Sequence, residues 1–257
     1  MSSGIKIFSY LPNPRVWKSL IAANLCGANV EVVGDKPKNL PNWLWDYDAR
    51  ELTEDDKTNS ALIRKGRRGF TNDLYKTDEF LLAHPFGTVP AAFDTETRVG
   101  IFESNSIMRA VARLGKPNNL YGGDNDVLAS RIDSFLDASL VFSREHQVYI
   151  LGVQKMNKVL HNRMKSSYEF FLDGIERALE IDTFIVGNQI SLADISFFCD
   201  TGYFLKEANY RDILKKQGFN LISSDFKEKY PLIVNHLNRL AKEDEFRKVA
   251  NKEFMRF

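Results

Sequence analysis

Apolar and polar residues alternate through Ile5-Lys6-Ile7-Phe8-Ser9-Tyr10, which predicts a first strand. Pro12 and Pro14 punctuate the turn after it, and a helix is expected from Pro14 or Arg15, because proline suits the first helical position. Val16, Leu20, Ile21 and Leu25 then recur at helical spacing, and Gly27 is placed to stop the helix. Val30-Glu31-Val32-Val33 reads as a second strand. A strand–helix–strand unit of this length implies a parallel pair with a right-handed crossover. After Pro90, Ala91-Ala92-Phe93 and Val99-Gly100-Ile101-Phe102 predict an antiparallel hairpin around Asp94 to Thr97. Ser104 is expected to cap a helix whose inner stripe is Ile107, Val111 and Leu114.

Residues 34–77 are too many for an ordinary connection. They hold the aromatics Trp43, Trp45 and Tyr47, an acidic stretch from Glu51 to Asp56 and the basic run Arg64 to Arg68. Three aromatics in five residues predict an ordered insertion over one edge of the domain. Those rings are expected to form a lid, a subunit contact or plain packing. The run from Gly115 to Asp124 has linker chemistry, so two domains are expected, 1–117 and 124–257. The second is read as all-helical, with helices over Leu128–Ile150, Met164–Leu179 and Pro231–Leu240. Ser191 and Asp194 have the spacing of a capping box, with Ile190 and Ile195 flanking them as a hydrophobic staple.

Composition narrows the function classes. A net charge of +1 leaves no global field to gather nucleic acid or an anionic membrane. No apolar run approaches the roughly 18 residues that span a bilayer, and the chain starts without a signal-peptide pattern. Cys26 and Cys199 stand far apart and read as buried thiols, which fits a reducing, cytoplasmic setting. His84, His146, His161 and His236 lack ligand spacing, so no metal site is expected. No Cys-x-x-Cys follows the first strand, which argues against dithiol redox work. With four carboxylates nearby, Arg64 to Arg68 reads as a solvated loop rather than a phosphate site.

The candidate chemistry lies in His84-Pro85-Phe86-Gly87-Thr88-Val89-Pro90 and in Phe102-Glu103-Ser104. An X-Pro bond takes the cis form at small cost. A cis Val89-Pro90 at the start of a strand would turn the Val89 N–H and C=O outward, where they could pair with an extended thiol peptide. The helix start at Ser104 would offer N–H groups and a hydroxyl to a carboxylate, and Glu103 would suit an ammonium beside it. Carboxylate and ammonium on one carbon describe the γ-glutamyl end of glutathione. The same residues also make a strand, a hairpin and a capped helix with no ligand at all.

This pattern resembles the thioredoxin-like domain of the glutathione transferase superfamily. Val186 to Asp194 resembles the folding signature of that superfamily's helical domain, where its role is structural. Within the superfamily, Val16 to Ala23, Gly27 to Val32, Phe80-Leu81-Leu82, Val89-Pro90-Ala91 and Phe102 to Asn105 are similar to the transferase-like domain of the gamma subunit of eukaryotic elongation factor one. Bacterial transferases acting on aromatic ethers and halides are a second similar group. The insertion interrupts the likeness. The end at Phe257, without the translation subunit's extra C-terminal domain, is expected to weigh against the translation role.

The resemblance implies a fold of α/β plus all-α type, a thioredoxin-like domain followed by a helical bundle. It implies glutathione as co-substrate, held by Thr88, Val89, Pro90, Glu103 and Ser104. The family's thiolate-stabilising group follows the first strand. Here Asn13 falls near that position, with Arg15 and Ser9 as helpers, though Asn13 between two prolines also suits a plain turn. The second substrate is expected to be a hydrophobic, preferably aromatic, electrophile undergoing conjugation, ether cleavage or dehalogenation. Tyr10, Trp17, Phe142, Arg144, His146 and Tyr149 are candidates for its pocket, or else ordinary core and surface residues. A homodimer, or a heterodimer with a related subunit, is implied as well. The alternative is a non-catalytic interaction module, as in the elongation factor subunit.

Overall fold

The computed structural model describes residues 3–66, 69–116, 118–250 and 254–255. Arg67 and Arg68 of the basic run, and Pro117 at the expected boundary, lie outside the described residues. The chain divides into two compact units, Met1–Lys116 and Pro117–Phe257.

The first unit opens with β1 (Gly4–Tyr10), α1 (Pro14–Cys26) and β2 (Asn29–Asp35). β1 and β2 pair in parallel from Gly4 opposite Asn29 to Tyr10 opposite Asp35. α1 has a defined start and stop. Asn13 is its N-cap, Pro14 occupies the first turn, and Gly27 ends it at φ 70° with its N–H on Ala23 O.

The chain then enters the insertion. Short strands β3 (Trp43–Trp45), β4 (Arg50–Glu51), β5 (Ile63–Arg64) and β6 (Leu74–Lys76) appear there, with α2 (Glu54–Thr58) between β4 and β5. After β6 come α3 (Asp78–Ala83), the hairpin strands β7 (Ala91–Asp94) and β8 (Gly100–Phe102), and α4 (Ser104–Leu114). The main sheet runs β2-β1-β7-β8, with β1 and β7 antiparallel.

Alternation along β1 puts Ile5, Ile7 and Ser9 on one face and Lys6, Phe8 and Tyr10 on the other. α1 and α4 are joined by Lys18 Nζ donating to Asn105 Oδ1 at 2.9 Å and by the Cys26 thiol facing Val111 O. The opposite face carries a core of Phe8, Ala91 and Phe93 with Leu40, Trp45, Leu74 and Phe80. The insertion therefore packs on a face of the main sheet. It brings a second four-stranded sheet of its own, ordered β4-β3-β6-β5. Trp45 meets Phe8 edge-on at 5.5 Å, and its indole N–H donates to Leu40 O. A capping box at Thr53 and Asp56, with Arg50 clamped on the Asp56 carboxylate, holds α2. Arg50 and the Thr53 N–H keep that carboxyl well below the usual range.

Two expected details change. Leu114 is exposed, and α4 instead buries Ile107, Met108, Val111 and Ala112. Ser104 is the first helical residue, while Glu103 holds the cap position without a side-chain capping bond.

The second unit is helical: α5 (Asp126–Leu151), α6 (Lys158–Ile181), α7 (Leu192–Phe204), α8 (Arg211–Lys216), α9 (Phe226–Lys229), α10 (Pro231–Leu240) and α11 (Asp244–Arg247). α7 is buried nearly all round, so its start is held by buried polar groups. Asp194 accepts from the Ser191 N–H and hydroxyl, from Ile185 N–H, and faces His236 Nε2 at 2.9 Å. No described helix is long and apolar enough to cross a membrane.

Candidate functional site

The turn from Thr88 into β7 contains a cis Val89-Pro90 bond. Pro90 is buried, and Val89 is half-buried. Among the described residues neither the N–H nor the C=O of Val89 has a hydrogen-bond partner. Backbone groups left unpaired just ahead of a strand can pair with one extended peptide. The cis Val89-Pro90 bond considered from the sequence is present.

Its second half begins where β8 ends. Glu103 adopts φ 64° and ψ 126°, a region costly for a residue with a Cβ. This sharp turn starts α4 immediately after the strand. The Ser104 hydroxyl has no hydrogen bond among the described residues, and its N–H lies in the first turn of an eleven-residue helix. Free donors at a helix start favour an anion. Glu103 is exposed beside them.

Two residues given no binding role from the sequence contact the segment leading to Val89, at Gly87 and Thr88. Lys76, at the end of β6, is buried, with Nζ 2.6 Å from Gly87 O and 4.4 Å from the Trp45 ring centre. Thr77 places it by capping α3 and donating its hydroxyl to Asp46 Oδ1. His84 is 1% exposed and stacks on Phe102, with ring centres 4.8 Å apart and planes 8° from parallel. Its Nε2 is 3.3 Å from Thr88 Oγ1, and its Nδ1 is buried without a partner. Burial, with the Lys76 charge adding to it, pushes the imidazole pKa down to about 4. A buried polar atom without a partner costs about 1–3 kcal/mol. The alternation Leu74-Tyr75-Lys76 ahead of a capping Thr77 was the sequence signal for an inward lysine.

The turn after β1 contains a second cis bond, Leu11-Pro12, beside the expected prolines. Asn13 Oδ1 accepts the Arg15 N–H and its Nδ2 donates to Ser9 Oγ, both at 3.0 Å. Ser9 and Asn13 are 0% and 1% exposed. Gly34 of β2 makes this close packing possible, because a Cβ there would lie 1.7 Å from Ser9 O. Tyr10 packs against the insertion core, and burial raises its phenol pKa while the Arg15 charge opposes that rise. Trp17 is buried on α1.

The pocket residues expected on the second unit are mostly something else. Phe142 is buried and stacked on Phe171 at 4.7 Å, because its helical position faces α6. His146 is 2% exposed and meets Tyr203 and Phe204 edge-on. Tyr149 is fully buried, with its hydroxyl donating to Glu207 Oε1 at 2.7 Å. All three are core residues of this unit. Arg144 is exposed and donates to Gln147 Oε1 on its own helix. Among the described residues no His, Cys, Asp and Glu gather in a metal-binding group.

No protein-family model matches the chain. Among curated proteins the sequence is similar to elongation factor 1-gamma. Identity is 28% over 204 residues with the Mus musculus and Homo sapiens proteins, covering 78% of this chain. With elongation factor 1-gamma-B of Xenopus laevis it is 27% over 209 residues, covering 80%. These matches take in only 39–40% of the relatives' own length. Among solved structures the chain is similar to a glutathione S-transferase from Methylobacillus flagellatus with glutathione bound. The TM-score is 0.66 at 14% identity, covering 96% of this chain and 99% of that one. A glutathione transferase from Phanerochaete chrysosporium with oxidised glutathione matches with a TM-score of 0.67 at 14% identity, covering 97% and 94%. Over nearly its whole length the chain has the glutathione transferase fold, a thioredoxin-like α/β unit followed by a helical one.

Proposed function

We propose that this protein binds glutathione in the notch between Val89 and Ser104 and uses its thiolate against a hydrophobic electrophile. The observation that carries the reading is the unpaired backbone of Val89, next to cis Pro90, together with the open helix start at Ser104. Val89 N–H and C=O would pair with the cysteinyl residue. Ser104 would take the γ-glutamyl carboxylate and Glu103 its ammonium. Thr88 and Pro90 shape the turn between them, and the buried Lys76 supplies positive charge to a ligand that carries two carboxylates and one ammonium. The fold and its glutathione-bound structural neighbours support the same reading.

The reacting species is the thiolate. Lowering a thiol pKa from ~9 to ~7 takes about 2.7 kcal/mol, and one hydrogen bond to a charged group supplies roughly 1.5–3 kcal/mol. Asn13 has one amide hydrogen beyond the one on Ser9, and we assign it, with the Arg15 charge, to the sulfur. Ser9 then orients Asn13. In the reaction the sulfur forms a bond to carbon, and the leaving group departs with the bonding pair. Ether cleavage and halide displacement share that step, whereas plain addition to an activated double bond sends the π pair onto the acceptor, which then takes up a proton. The exposed apolar side chains Leu82 and Phe86 suit the cover of a second copy or a related subunit in a dimer.

A second reading is a non-catalytic interaction module with the glutathione transferase fold. It is favoured by the elongation factor 1-gamma relatives and by the mutual engagement of Ser9 and Asn13 in a buried turn. Retention on immobilised glutathione with turnover of a chromogenic aryl halide supports the enzyme. Retention without turnover, and recovery in a stable heteromeric complex, supports the module. Absence of retention removes the glutathione site itself.

A further inference from the structure

The two halves of the notch come from different segments, and one side chain touches both. His84 follows α3, and its Nε2 reaches Thr88 Oγ1 on the Val89 side. Its ring lies flat on Phe102, the residue just before Glu103 and Ser104. The backbone around it is equally close. His84 O accepts from Gly87 N–H at 2.8 Å, and a Cβ on Gly100 would sit 2.1 Å from Ala83 O. The end of α3 is thus pressed onto β8, with the imidazole filling the interval. The ring is buried against Phe102 and Phe80 and makes one polar contact, to Thr88, which together restrict its orientation.

We propose that His84 is the positioning residue of the notch, setting the distance between the Val89 backbone and the Ser104 helix start through Thr88 and Phe102 without touching glutathione. This rests on the glutathione reading given above. A ligand held at two points binds tightly only when both are correctly spaced, because the second contact then forms at high effective concentration. His84 makes that second contact productive. A residue with this role couples energetically to Ser104, whereas one that merely stabilises the fold does not.

The experiment is a double-mutant cycle on the full chain, read by calorimetric titration with glutathione. Ser104→Ala in the wild-type background is expected to weaken glutathione binding about 10-fold, the loss of one hydrogen bond to a charged group. In the His84→Ala background the same substitution is expected to cost less than about threefold, because the contact is already misplaced. His84→Phe keeps the stack and His84→Asn keeps a polar group toward Thr88. Each is expected to fall between His84→Ala and wild type, and the cycle is run with His84→Asn should His84→Ala not fold. An unchanged Ser104→Ala effect in the His84 variants overturns the inference and leaves the glutathione site standing. Failure of the wild-type protein to bind glutathione overturns that site and this inference with it.

Discussion

Asn13 donates an amide hydrogen to the Ser9 hydroxyl across 3.0 Å, in a turn where neither side chain reaches 2% exposure. The same amide's oxygen caps α1 by accepting the Arg15 N–H. One side chain therefore closes the turn after β1 and starts the first helix, and it is the one proposed above as donor to the thiolate.

Asn13→Ala should separate these duties. Loss of the cap is expected to lower stability by about 1 kcal/mol, read as a lower thermal midpoint. If Asn13 also stabilises the thiolate, turnover of a chromogenic electrophile should fall about 10-fold or more while glutathione affinity changes little. Asn13→Ser restores a good N-cap and supplies a hydroxyl, so stability should return and turnover should recover. Unchanged turnover in Asn13→Ala would remove Asn13 from the mechanism and favour the module reading.

The buried imidazole of His84 makes stability depend on pH. Its folded pKa of about 4 lies below the ordinary 6.5, so the unfolded chain takes up the proton first as pH falls. The neutral folded form is fully favoured above pH ~6.5, and up to about 3 kcal/mol is lost as pH drops toward ~4. In chemical denaturation without ligand, His84→Phe should show a flatter profile over this window. Parallel profiles for the two proteins would contradict it.

Glu103 keeps a positive φ that glycine adopts freely. Glu103→Gly should leave stability equal or raise it by up to about 1 kcal/mol, because relief of the turn outweighs the added freedom of the unfolded chain. Glutathione binding should nevertheless weaken, since the carboxylate and the fixed direction of the turn are both gone. Calorimetry and thermal melts on the same protein check both signs. Tighter binding would show that the turn is not shaped for the ligand.

Trp45 joins the insertion to the main sheet through edge contacts with Phe8, Phe70 and Phe80. Trp45→Ala should cost about 3–5 kcal/mol by the cavity left behind. Because Lys76 sits over the same ring, glutathione binding should weaken as well. A small change in the thermal midpoint would mean that the insertion is an appendage rather than part of the core.

The residues that announce themselves by period or by chemistry were readable from the sequence. Alternation from Ile5 to Tyr10 led to β1, the Ser191–Asp194 spacing to a capping box, and Val89-Pro90 to a cis turn. What escaped was decided by partners distant in sequence. The strands of the insertion are two or three residues long, too short for any period, and they exist because Trp45, Leu74 and Phe80 pack on Phe8. Phe142, His146 and Tyr149 suited a pocket or a core by type. Phe171, Phe204 and Glu207, far along the chain, make them core. For His84 nothing in the sequence showed that Phe102 would lie on its face.

In the proposed function Val89 and Ser104 form one glutathione site. The most direct measurement is calorimetric titration of the wild-type chain and of Ser104→Ala with glutathione, each repeated with cysteinylglycine, which lacks the γ-glutamyl group. One saturable site for glutathione, about 10-fold weaker in Ser104→Ala, is predicted. Cysteinylglycine binding should be weak and identical in the two proteins. No saturation by glutathione, or equal affinity in wild type and Ser104→Ala, would contradict the account.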